Sequence, residues 1–365
     1  MPVPGAPISF ARGAPSLDIV DVDGLREAAD RAFADDAAAT VGYGTAVGFP
    51  PLREWIAERH GVPVEQVLVT NGSMQADAFL FALMVQPGDA VIVEAPTYDR
   101  TLLNLRQRGA DLRPIPLQGD GIDVDAVEAL LRDGTRPKLA HVIPNFQNPA
   151  GYTLSAGKRT RLLELAAEFD MTVFEDDPYV AIRFEGESLP TMLEADGAGK
   201  VVYASSFSKT VCPGIRVGFL IGPQAIIGQI QSLATNTYIS PNMVAQSIVN
   251  QFCRSGRLDS SIHTVRAALR ERRDTLVAAL RRDLPQARFE PPEGGYFMWV
   301  ELPEDVDVAA LETAAGERGV AFVKGTDFLL EGGTNTLRLA YSGVTPAEID
   351  EGVRRLADAV ASLPA

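Results

Sequence analysis

Between Gln66 and Ile143 short apolar runs alternate with segments of helical period, and few architectures accept that pattern. Val67–Thr70, Asp89–Glu94, Leu112–Pro116 and Lys138–Ile143 read as strands. Ser73–Val85, Asp99–Arg108 and Val124–Arg132 read as the helices that join them. The alternation predicts an α/β fold with a mostly parallel sheet flanked by helices. Ligands of such sheets sit beyond the carboxyl ends of the strands, so residues that carry chemistry are sought just after each strand.

One such place is Val201–Pro223. Val201–Tyr203 read as a buried strand that runs into a polar turn, Ser205–Ser208, and delivers Lys209, with Pro213, Gly214 and Arg216 close behind. The chain has five lysines, Lys138, Lys158, Lys200, Lys209 and Lys324, among 33 basic residues, so lysine is not its default surface cation. An amine held in such a pocket loses hydration, its pKa falls, and it can form a Schiff base with an aldehyde. The hydroxyls of Ser206 and Ser208 and the guanidinium of Arg216 suit a phosphate. Taken alone, the segment also fits an ordinary strand-to-loop turn that happens to carry a lysine.

Ser206-Phe207-Ser208-Lys209, followed by Gly214-Ile215-Arg216-Val217-Gly218, resembles the S-x-S-K…G-x-R-x-G segment that anchors the coenzyme in fold-type I pyridoxal phosphate enzymes, the class I/II aminotransferases. The resemblance runs from about Ile8 to the C-terminus, with the motifs in the family's order. It implies pyridoxal 5'-phosphate held on Lys209, in a large domain with a mostly parallel, seven-stranded-type sheet, plus a smaller α+β domain. Residues 1–36 are expected to form an N-terminal arm and part of the small domain, 37–257 the large coenzyme-binding domain, and 258–365 the small domain.

Val41–Arg53 is a glycine-rich loop feeding a helix through about His60, and Tyr43 reads on its own as a packed loop aromatic. In the family's Y-G-x-x-x-G-x-x-x-L-R segment this tyrosine crosses a dimer interface to the partner's coenzyme phosphate, a role the resemblance assigns to Tyr43. At Asn71-Gly72-Ser73-Met74-Gln75, Ser73 is either a helix cap or part of a helix N-terminus that offers free N–H groups to an anion. The resemblance places Ser73, Met74 and Gln75 in a phosphate cradle and Tyr98 on the face of the pyridine ring. Pro144–Gly151 contains turns that are loop punctuation on their own. It also resembles the family's N-P-x-G motif, in which Asn148 would hydrogen-bond the coenzyme's phenolic oxygen.

The strand Met171–Phe174 delivers Glu175, Asp176 and Asp177. Carboxylates there are expensive to bury, so either they are exposed or one has a cationic partner. A protonated pyridine nitrogen is such a partner, and a ring kept positive draws electrons from a substrate's α-carbon. The family's D-x-x-Y spacing selects Asp176 for that role and Tyr179 for the phenolic oxygen. Glu175-Asp176-Asp177-Pro178-Tyr179 resembles the 2-aminoadipate aminotransferase branch and the aminotransferase-like half of certain winged-helix regulators. With no winged-helix half in this sequence, an enzyme is expected in preference to a regulator.

Gly294–Pro303 resembles the family's G-G-x-F-x-W-x-x-L-P strand. Arg338, in Asn335–Ser342, alternates with apolar neighbours and reads either as an edge-strand arginine facing water or, as in the family's L-R-L-x-[FY]-[SA], as the bidentate partner of the substrate α-carboxylate. Arg12 stands where relatives have glycine, and the chain begins almost at Ile8, without the helix that contributes substrate contacts in that branch. Arg12 either binds a distal anionic group or pairs with a surface carboxylate. Substrate contacts are expected from Arg338, Arg12, Gly13 and Asn148.

Elsewhere, Met1–Asp18 should run extended and Asp23–Asp36 should be helical. Ser155 should cap a helix with Leu162, Leu163, Ala166 and Phe169 as its core stripe. Ala225–Leu233 reads as a helix, and Thr237–Asn242 as a break where the family brings a loop toward the neighbouring subunit. Leu258–Arg282 reads as a helix with its arginines on a solvated face, and Thr345 opens the last helix with a capping box.

The formal charge of −15, with no basic stretch to offset it, argues against nucleic-acid and anionic-membrane partners. Two cysteines suit a reducing compartment and three separated histidines leave no metal site. No signal-like or membrane-spanning run is present, so a cytoplasmic protein is expected. The resemblance implies a homodimer with shared active sites, acting on small-molecule substrates, an amino acid and an oxo acid. An amino acid would form an external aldimine, Lys209 would remove its α-proton, and reprotonation on the coenzyme would release a 2-oxo acid, which is transamination. The same apparatus also serves a specialised biosynthetic enzyme catalysing β/γ-elimination or replacement, cyclisation or C–C bond formation, with S-adenosylmethionine among its candidate substrates, or a non-catalytic sensor of coenzyme and amino acid.

Overall fold

The computed structural model describes residues 6–363, so the first five residues of the expected extended arm lie outside the described residues. The strands are β1 (Ile8–Ser9), β2 (Val67–Thr70), β3 (Ala90–Ala95), β4 (Asp111–Gln118), β5 (Gly121–Ile122), β6 (Leu139–Val142), β7 (Thr172–Asp176), β8 (Val201–Ser206), β9 (Gly218–Ile221), β10 (Phe297–Glu301), β11 (Val320–Ala321), β12 (Val323–Lys324) and β13 (Thr336–Ala340). The helices are α1 (Val22–Asp35), α2 (Ala37–Val41), α3 (Pro50–His60), α4 (Ser73–Met84), α5 (Asp99–Gln107), α6 (Val124–Arg132), α7 (Ala156–Glu168), α8 (Met192–Ala195), α9 (Gln224–Tyr238), α10 (Met243–Arg254), α11 (Arg257–Asp283), α12 (Val308–Glu317) and α13 (Pro346–Ala361). The elements expected between residues 66 and 143 are all present, with ends moved by one or two residues.

The main sheet has the order β2-β9-β8-β7-β6-β3-β4-β5. Neighbours from β8 through β4 are parallel, β9 runs antiparallel between β8 and β2, and β5 adds a two-residue antiparallel edge beyond the seven strands. Every residue of β2, β6, β8 and β9 is buried, as befits strands covered on both faces. Alternate side chains serve opposite cores. Val67, Val69, Val173 and Tyr203 pack with α3, α6, α7 and α10, while Leu68, Phe174, Val202 and Ala204 pack with α4, α5 and α9.

A third core joins Ile8 and Phe10 to the sheet β10-β13-β12 and to α11, α12 and α13. Arg338 pairs in register with Trp299 on one side and Val323 on the other, so it sits on the central strand and not on an edge. Ile8 lies parallel to Val320, and Phe10 O accepts from Ala340 N at 2.7 Å, which ties the start of the chain to its end.

Several expectations are corrected. Helix α9 continues through Thr237 and Tyr238, and the break begins at Ile239, whose φ is 65°. The arginines of α11 are not all solvated. Arg272 is buried against Ser342 O and Asp18, and Arg273 against Pro292 O and Glu185, because loops folded back onto the helix present carbonyls and carboxylates there. Ser155 stands at the start of α7, but its hydroxyl donates to Asp120 and leaves the helix end uncapped. Leu163 and Phe169 are half-buried, and Leu165 completes the core stripe with Leu162 and Ala166.

Candidate active site

Five strand ends converge on one edge of the main sheet: β2 leads to Ser73, β3 to Tyr98, β6 to Asn148, β7 ends in Asp176, and β8 runs into the loop that carries Lys209 and Arg216. Where they meet the small sheet a cavity of about 690 Å3 opens. All the expected site residues line it except Gln75 and Tyr43. Gln75 braces the turn instead, its Oε1 accepting from Asn71 N at 2.9 Å and Asn71 Nδ2 at 3.1 Å. Tyr43 is 91 % exposed, beside a separate shallow cleft with Ser240 and Pro241. It packs against nothing that would make it a core loop aromatic.

At one end of the cavity, α4 begins at Ser73 behind Gly72, and no side chain caps it. Ser73 is therefore not a cap, and the first N–H groups of the helix are left for an anion. Gly72 has φ 83°, and a Cβ there would stand 2.0 Å from Arg216 Nη2, so only glycine lets the guanidinium lie against this turn. Arg216 itself is left-handed, with φ 50°, and its Nη1 donates to Ser208 Oγ at 3.2 Å. Ser206 Oγ accepts from Ser208 N at 3.1 Å, which holds both hydroxyls at the same corner.

Lys209 Nζ donates to Gly13 O at 2.8 Å and lies 4.9 Å from the ring centroid of Tyr296 and 5.5 Å from that of Tyr179. Burial, then the charges of Arg338 and Arg216, lower its amine to about 8, against the opposing pull of Asp176. Burial likewise pushes the Tyr98 phenol up to about 12 and the Tyr179 phenol well above its ordinary value, so both are O–H donors. The three consecutive carboxylates are all buried, with different partners. Glu175 accepts from Met192 N and Leu193 N, at the start of α8, and Asp177 accepts from Asn145 Nδ2 at 2.7 Å. Asp176, the one that lines the cavity, has Oδ2 3.5 Å from His141 Nε2 and a buried Oδ1 with no partner.

At the other end Arg338 is buried between two aromatic faces, 4.2 Å from the Phe297 centroid and 4.8 Å from that of Phe328. Its Nη1 donates to Asn148 Oδ1 at 2.8 Å and its Nη2 to Ala11 O at 2.7 Å, while Nε is buried with no partner. Among the described residues no carboxylate pairs with it. Arg12 lies exposed at the cavity mouth. A Cβ on Gly13 would meet Phe297 Cζ at 2.4 Å, so glycine is what lets this backbone reach Lys209. Sequence reasoning missed Phe297, Tyr296 and Phe328. The first two lie in the Gly294–Pro303 segment, but nothing marked which rings turn inward, and Phe328 belongs to no motif.

The model of the family "Aminotransferase class I and II" matches residues 7–356. The chain is 36 % identical to the 2-aminoadipate transaminase of Thermus thermophilus, over 98 % of this chain and 90 % of that protein. It is 34 % identical to aromatic-amino-acid aminotransferase 1 of Thermococcus litoralis, over 97 % and 88 %. The crystal structure of LysN, the α-aminoadipate aminotransferase of T. thermophilus, complexed with N-(5'-phosphopyridoxyl)-L-leucine, superposes with a TM-score of 0.93 at 34 % identity, covering 97 % of this chain and 92 % of that one. The cavity fits such a coenzyme: uncapped helical N–H groups and Arg216 suit its phosphate, the partnerless Asp176 oxygen its ring nitrogen, and the Lys209 amine its aldehyde. The chain therefore belongs to the class I and II aminotransferases, pyridoxal-phosphate-dependent transferases of fold type I.

Proposed function

We propose that this aminotransferase takes its amino group from aromatic amino acids and 2-aminoadipate, with Lys209 as the catalytic base and two chains sharing their sites. The observation that carries the reading is Arg338, a buried guanidinium with no carboxylate partner among the described residues, facing the cavity that holds Lys209. A buried cation of this kind is costly until a carboxylate arrives, and its planar fork suits the α-carboxylate common to all amino acid substrates.

Bound pyridoxal phosphate supplies the electron sink for the α-carbon. The chain's residues supply the rest. Ser73, Met74, Ser206, Ser208 and Arg216 would hold the phosphate, Tyr179 and Asn148 the phenolic oxygen, Tyr98 the ring face, and Asp176 Oδ1 the proton of the ring nitrogen. Arg338, with Asn148 and Gly13, orients the substrate so that its α-proton meets Lys209 Nζ, which is neutral often enough at an amine pKa of about 8 to take and return it. The rings of Phe297 and Phe328 keep water from the guanidinium. Arg12 at the mouth would meet a distal carboxylate, and Tyr43 would complete the partner's phosphate site. The Thermococcus and Thermus relatives carry aminotransferase names, and nothing in those names supports elimination, replacement or bond-forming chemistry.

The test is a half-reaction: the yellow enzyme is mixed with single amino acids and no oxo acid. Loss of the yellow colour with one equivalent of 2-oxo acid per chain is expected for phenylalanine, tyrosine or 2-aminoadipate. Ammonia release with the yellow colour retained, or no change with any of them, would falsify the reading. Lys209→Ala should stay folded but yield no coenzyme-labelled peptide after borohydride reduction.

A further inference from the structure

A second cavity, of about 280 Å3, lies behind the turn that delivers Lys209. It shares Pro178 and Ser206 with the walls of the larger cavity, and Lys209 is not among its own. Tyr203, Ser205 and Phe207 alternate onto one face of β8 and its continuation, and Phe219 faces Ser205 in register on β9. Helix α3 covers them with Trp55 and His60. Five rings thus surround the space, with neighbouring centroids 5.3 to 6.2 Å apart. Burial, then the Arg59 charge, lower the His60 imidazole to about 4, so at ordinary pH it is one more neutral ring. Close-packed interiors leave few voids larger than a water, and this one has the size and the apolar lining of a small-molecule site.

Two charges of opposite sign line it as well. Arg59, one turn along α3 from Trp55, holds its guanidinium 5.3 Å from the Trp55 ring centroid. It is paired only loosely with Asp259, at 4.0 Å, and among the described residues its side chain makes no hydrogen bond. Glu194 spends Oε2 on Thr191 N at 3.1 Å in the capping box of α8, which leaves Oε1 for a ligand. An anion alone would meet Glu194 and a cation alone would meet Arg59, whereas a zwitterion meets a partner at each end. We propose that this cavity is a second amino acid site, which takes a free aromatic α-amino acid with its ring among the five aromatic side chains, its carboxylate on Arg59 and its ammonium on Glu194. With Lys209 turned to the other cavity, the amino acid is held there unconverted. The proposal does not depend on which amino donor the enzyme uses.

The chain's two tryptophans allow a direct test, because Trp55 lines this cavity and Trp299 lies 6.0 Å from Phe328, in the wall of the other. The protein is labelled with 5-fluorotryptophan, its active site is filled with N-(5'-phosphopyridoxyl)-L-leucine, and the two fluorine signals are assigned with Trp299→Phe. Titration with L-phenylalanine should shift the Trp55 signal and leave that of Trp299 in place. Phenylacetate and phenethylamine, each lacking one charge, should bind about threefold or more weakly, as for ion pairs at a partly exposed rim. Arg59→Gln should weaken phenylalanine by a similar factor and leave phenethylamine unchanged. Glu194→Gln, which keeps a capping-box side chain, should weaken phenylalanine and leave phenylacetate unchanged. A Trp55 signal that phenylalanine does not move, or movement of the Trp299 signal alone, overturns the site. Equal affinity for all three ligands, or the same loss for all three in either variant, overturns the recognition of an amino acid.

Discussion

Lys209 owes its chemistry to three neighbours more than to its own identity. Its dry surroundings, and then the Arg338 and Arg216 charges, bring its amine from 10.5 to about 8, while Tyr296 fixes its backbone by donating to Lys209 O at 3.1 Å. Attack on an aldehyde needs the neutral amine, whose share grows about tenfold per pH unit below the pKa. Capture of pyridoxal phosphate by the apoprotein, followed by stopped-flow absorbance, should therefore accelerate up to about pH 8 and then level off. A rate that kept climbing toward pH 10.5 would mean an amine that burial and the two arginines leave unshifted.

At the scale of elements, two helices show how one sequence signal ends in different bonding. Thr345 and Glu348 close a full capping box at α13, with Thr345 Oγ1 accepting from Glu348 N and Thr345 N donating to Glu348 Oε2. Ser155 looks equivalent before α7, yet its hydroxyl is spent on Asp120. Thr345→Ala should cost about 1 kcal/mol and Ser155→Ala about half that or less, read from denaturation midpoints, with activity unchanged in both. The strands between residues 66 and 143 were legible because continuous apolar runs leave no other place for them. Helix α2 and strand β5, with five and two residues, are too short to show a period. The motif residues of the cavity were legible because their spacing is tied to backbone turns. Phe328 and the burial of Arg272 and Arg273 were not, since each depends on segments distant in sequence that only the folded chain brings together.

For the whole molecule, the placement of Tyr43 argues for a second copy of the chain. Val41, Tyr43 and Val244 line one shallow cleft beside Ile239, and all four expose apolar surface there. Sedimentation equilibrium should return twice the chain mass of 39.1 kDa. A fully active species of single mass would rule out shared sites. The N-terminal segment acts over a longer range still. Arg338 and Lys209 both donate to carbonyls between Ala11 and Gly13, and the first of these bonds joins residues 327 positions apart. During synthesis the main sheet can condense as soon as β9 has left the ribosome, but Ile8 and Phe10 must wait for β11 and β13 before they have strands to pair with. A chain clipped before β13 can therefore own a finished main sheet while the strand that pairs with Phe10 and carries Arg338 is missing from its site.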